Sequence, residues 1–64
     1  MTNNERLLLA AHDLAIARAA AMQRRYLAEN PDIDDYTYLD NGMVRVYFES
    51  FETFKNLVSR YNAE

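Results

Sequence analysis

Cysteine and tryptophan are absent from these 64 residues, and glycine, proline and histidine occur once each. Without thiols there is no disulfide framework, which leans toward a reducing compartment. With one imidazole and no thiolate, a zinc site lacks ligands. Gly42 alone cannot build a phosphate-cradling loop. Long apolar runs are missing too: nothing approaches the roughly 20 residues that cross a bilayer. The opening "MTNNERLLLAAHDLAIARAAA" has no basic start and carries Glu5, Arg6 and Asp13 in or beside its apolar part, so it does not read as a signal peptide. A cytoplasmic chain with no membrane contact and no cofactor is expected.

Catalytic groups are equally sparse. His12 and Asp13 are neighbours in sequence, but on a helix they point about 100° apart, so they are no positioned dyad. Leu8 and Ile16 flank His12 one turn away on either side, which suits a partly buried or interface histidine. Ser50 and Ser59 read as a helix cap and an exposed turn residue, for a nucleophile would need a base that the chain barely offers. Asp32, Asp34 and Asp35 are spaced like part of a calcium loop, yet the glycine and closing glutamate are missing. A solvated acidic loop is expected there, with no catalytic and no metal site in the chain.

What the chain does have is charge contrast. The formal net charge is −3, which argues against nonspecific phosphate-backbone binding. Residues 1–31 carry +1, residues 32–50 carry −4 and residues 51–64 balance. The length allows one domain, residues 1–64.

Three elements follow from pattern, giving an α+β fold of order α-β-β-α. A long helix spans about Asn3 to Glu29: "TNNE" is a capping box at its start, Asn30-Pro31 marks its end, and no glycine or proline interrupts it. Next comes a β-hairpin, "DYTYLD" and "MVRVYF" around Asn41-Gly42, a dipeptide suited to a two-residue type I′ turn. A short helix then runs from a Ser50 cap to about Asn62, with Phe51, Phe54, Leu57, Val58 and Tyr61 spaced by threes and fours.

At 1.5 Å per residue the first helix is roughly 40 Å long, against about 20 Å for the strands and about 18 Å for the last helix. Its own chain is therefore expected to leave part of it uncovered. The stripe Leu8, Ala11, Ala15, Ala19, Met22 and Tyr26 lies beside a second stripe of Leu9, Ile16, Ala20 and Leu27. A helix apolar on two sides is usually buried on two sides, and a homodimer using the first stripe is expected.

In the hairpin, Val44, Val46 and Phe48 alternate with Met43, Arg45 and Tyr47, so the former are expected in the core. A two-residue turn keeps Leu39 inside and sends Tyr36 and Tyr38 outward beside Arg45 and Tyr47; a bulged turn would send both tyrosines in. With the first register, Tyr36, Tyr38, Met43, Arg45 and Tyr47 form a face rimmed by Asp34, Asp35, Asp40 and Glu49. Tyrosine and arginine carry interface energy, and an acidic rim steers a basic partner. The same face could equally be a second dimer contact or a wet tyrosine surface.

The opening "MTNNERLLLAAHDLAIARAAAMQRRYLAEN", followed by the hairpin pattern, resembles small phage early proteins, specifically the quorum-sensing anti-activators of Pseudomonas phages. The resemblance covers mainly the first helix and contains no diagnostic motif. It implies a homodimeric inhibitor, acting in the host cytoplasm, that binds the DNA-binding domain of a LuxR-type regulator, or a pilus assembly ATPase. No site residue transfers with it. A small DNA-binding regulator using Arg18, Arg24 and Arg25 is the competing reading, disfavoured by the overall charge; a structural assembly subunit is the third.

Overall fold

The first helix forms as its sequence demands. In the computed structural model, which describes the backbone of residues 2–63 and the side chains of residues 2–61, α1 runs Asn3–Glu29. Thr2 Oγ1 accepts the Glu5 N–H at 3.2 Å. At the other end the Asn30 N–H and its Nδ2 both donate to the Tyr26 carbonyl at 2.9 Å, tying off the last turn.

The rest of the chain departs from expectation. Residues 37–63 form one continuous helix, α2 (Thr37–Ala63), and the described residues contain no strand. The architecture is an antiparallel helical hairpin, not α-β-β-α. No described residue has positive φ, so Asn41-Gly42 makes no type I′ turn; both residues lie inside α2. Ser50, expected as a cap, is mid-helix and buried. The chain turns instead at residues 30–36, where the Ile33 N–H reaches the Asn30 carbonyl at 3.3 Å.

Packing explains the choice. Read with a helical period, Leu39, Gly42, Val46 and Ser50 fall on one face at spacings of three and four, and they meet the small stripe of α1. Ala11, Ala15 and Ala19 are buried, the first two fully, against α2 of the same chain. They are therefore not free to meet a second copy, and the dimer face drawn on them is withdrawn. The length argument fails with it, because α2, at 27 residues, is as long as α1. Of the remaining stripe, Met22 and Tyr26 are half-buried and Leu8 is exposed.

Gly42 is buried at the seam, and a Cβ there would stand 2.7 Å from the Met22 methyl. An isolated two-stranded hairpin is marginal in water. The same residues, wound into one helix with residues 49–63, bury Ala11, Ala15 and Ala19 of α1.

Candidate functional site

The helical register redistributes the expected binding face. On a strand Tyr36, Tyr38, Arg45 and Tyr47 share a side; on a helix Tyr38 and Arg45, seven apart, stay together, while Tyr47 points about 200° away from Arg45. Tyr38 and Arg45 accordingly line one depression, with Met22, Asn41 and Gly42. The Tyr26 ring braces Tyr38 from α1, with centroids 5.8 Å apart. Val44 and Phe48, expected inside, are 57% and 62% exposed, and only Val46 of that trio turns toward α1.

The loop end of the hairpin gathers the acids. Asp32, Asp34, Asp35 and Asp40 are all exposed, and no lysine or arginine lies between Arg25 and Arg45. Among them stand Tyr36 and Tyr38, 48% and 71% exposed. Asp35 also shapes the backbone, because its Oδ1 accepts the Thr37 N–H at 3.0 Å and so caps the first turn of α2. That backbone hydrogen bond, and then the Thr37 hydroxyl, hold its carboxyl below the usual 3.8.

Tyr47 belongs to a second surface. It is half-buried, and its hydroxyl meets His12 Nδ1 at 2.7 Å. The imidazole stands edge-on to the phenol ring at 5.6 Å. Phe48 lies edge-on to Tyr47 at 5.1 Å, and Phe51 stacks on it at 6.1 Å. With its one polar atom satisfied, Tyr47 presents a ring to a groove of about 310 Å³ lined by Ile16, Ala19, Ala20, Met43, Val44 and Phe48. No charged residue lines that groove. The second stripe of α1, through Ile16 and Ala20, already pointed to it; the α2 wall was hidden by the strand reading.

Two of the basic residues of α1 are engaged locally. The Arg18 guanidinium lies 4.8 Å over the Phe54 ring, and Arg25 pairs with Glu29 at 3.3 Å. Among the described residues no cluster of His, Asp and Glu could hold a metal ion, and no helix is long and apolar enough to cross a membrane. Compared with protein-family models, curated proteins and solved structures, the chain matches none.

Proposed function

We propose that this chain is a non-enzymatic protein-binding inhibitor that covers a basic surface of its partner with the loop end of the hairpin. The observation that carries the reading is the exposure of Tyr36 and Tyr38 among Asp32, Asp34, Asp35 and Asp40. Tyrosine brings contact area at low entropic cost, and a carboxylate cluster unrelieved by cations accelerates encounter with a positive surface. Arg45, on the same side as Tyr38, offers the fork that a partner carboxylate would accept. A DNA-binding surface is basic by construction, so the DNA-binding domain of a LuxR-type regulator, the partner class that the phage resemblance implies, is the first to try.

The test is titration of the chain into such a purified domain by calorimetry at several salt concentrations. Binding that weakens with salt is expected. Tyr38→Ala should cost about 2 kcal/mol by speeding dissociation, whereas Asp34→Lys with Asp32→Lys should mainly slow association. Full affinity in these variants, with loss on changing Arg18 and Arg24, would move the recognition surface to α1.

A further inference from the structure

The hollow at Gly42 differs in composition from the segment around it. Residues 32–50 carry −4 overall, yet no acid lines the depression formed by Met22, Tyr38, Asn41, Gly42 and Arg45. The depression beside Arg18 is different, because Glu49 shares it. Arg45 is exposed and, among the described residues, has no ion pair. On the helix Asp40 points about 140° away from it, and Glu49, one turn further on, lines the Arg18 depression instead. Tyr38, Asn41 and Arg45 stand at i, i+3 and i+7, so one face of α2 brings a phenol, an amide and a guanidinium to a hollow of about 330 Å³. Its floor is apolar: Gly42 leaves the space open, and the half-buried Met22 closes it from α1. The Tyr26 ring, 5.8 Å from that of Tyr38, braces the phenol wall.

We propose that this hollow is a carboxylate pocket: it takes one acidic side chain of the protein that the loop end covers, and so selects, among basic surfaces, one that presents such a side chain. The identity of that protein rests on the loop-end reading; the chemistry rests on the hollow alone. Three donors surround the head of a carboxylate, and the guanidinium fork matches its two oxygens. The apolar floor suits the methylene stem that a glutamate carries. Asp32, Asp34, Asp35 and Asp40, all exposed, make a field that repels phosphate more than a singly charged carboxylate. Selection follows from the cost of a mismatch. The acidic loop attracts any positive surface from a distance, but a surface without an acid at this point would desolvate Arg45 and leave it unpaired.

Nuclear magnetic resonance of the full chain tests the pocket without any partner. N-acetyl-glutamate α-amide, whose side-chain carboxylate is its one charge, should shift the Arg45 Nε–H, the Asn41 side-chain amide and the Met22 methyl together and saturate in the millimolar range. N-acetyl-glutamine α-amide, similar in shape and uncharged, should not, and inorganic phosphate should bind more weakly than the glutamate probe. Arg45→Lys keeps the charge and loses the fork, and should weaken binding about 5-fold or more. Arg45→Gln should abolish it with circular dichroism unchanged, the side chain being exposed, while Arg24→Gln on α1 should leave it intact. A response equal for the two amides, or one that survives Arg45→Gln, overturns the pocket. Tighter binding of phosphate overturns the choice of head group, and tighter binding of N-acetyl-leucine, whose carboxylate ends a chain, overturns the side-chain source. Should the pocket bind its probe while no basic domain binds the chain, the pocket stands and the loop-end reading falls. A basic domain bound equally by the parent and by Arg45→Gln overturns selection by the pocket and leaves the loop-end reading in place.

Discussion

Gly42 shows how one residue carries opposite meanings in two folds. After Asn41 it reads as the corner of a hairpin, because glycine tolerates positive φ. In the structure it has ordinary helical backbone, and what matters is its missing side chain, which lets α2 approach Met22. The atom that a Cβ would meet is the terminal methyl of a flexible, half-buried side chain. Gly42→Ala should therefore shift that methyl and gain helix propensity, stabilising the chain by up to about 1 kcal/mol. Gly42→Leu cannot be accommodated so easily and should cost roughly 1–3 kcal/mol through overpacking. Urea melts of the two variants check both signs; a hairpin corner would make the alanine variant the destabilised one. His12 is the parallel case among polar residues, for it lies half-buried against Tyr47, where its ring nitrogen meets the phenol hydroxyl.

At the scale of the element, α2 is held at its start by a carboxylate. Asp35 is ionised when it accepts the Thr37 N–H, and its carboxyl sits below 3.8 as a result. A lowered folded-state pKa means stabilisation that is complete above the unfolded value and lost as pH falls through the folded one. Helicity should thus decline on acidification below about pH 4. Asp35→Asn keeps an acceptor oxygen while removing the titration, so its circular dichroism should be flatter than the parent's across that range. An unchanged acid limb in Asp35→Asn would assign the transition to other carboxylates. The β-branched Val44 and Val46 oppose α2 only weakly, since their cost in a helix is a few tenths of a kcal/mol each. Burial against the alanine stripe of α1 outweighs it.

The whole molecule is a rod of 47 × 16 × 16 Å. Its Cα radius of gyration is 14.4 Å, whereas a compact domain of this length has about 11 Å. Such a shape follows from two helices of equal length joined by a short loop, and it leaves both flanks open. Small-angle scattering of the chain should accordingly return a rod's profile, with a radius of gyration near 14.4 Å; a value near that of a compact domain would mean that the two helices do not stay extended along one another. The acidic loop lies at one tip of the rod.

The amino-acid sequence by itself determined α1, including both its ends, because a Thr cap, an uninterrupted run of helix formers and Asn30-Pro31 are local signals that need no partner. It also determined the acidic middle and pointed to the half-buried His12. The structure of residues 37–50 was not decidable locally. "LDNGMVRVYF" satisfies a two-residue period through Val44, Val46 and Phe48, and a helical one through Leu39, Gly42 and Val46, which Ser50 continues. Turn chemistry favours the first reading. Only contact with α1 could select the second, because the free energy that decides it comes from burying Leu39 and the alanine stripe together, and neither segment can supply that alone. The same contact decided which residues remained outside: it consumed Ala11, Ala15 and Ala19 within the chain and left Ile16, Val44 and Phe48 to face whatever comes next.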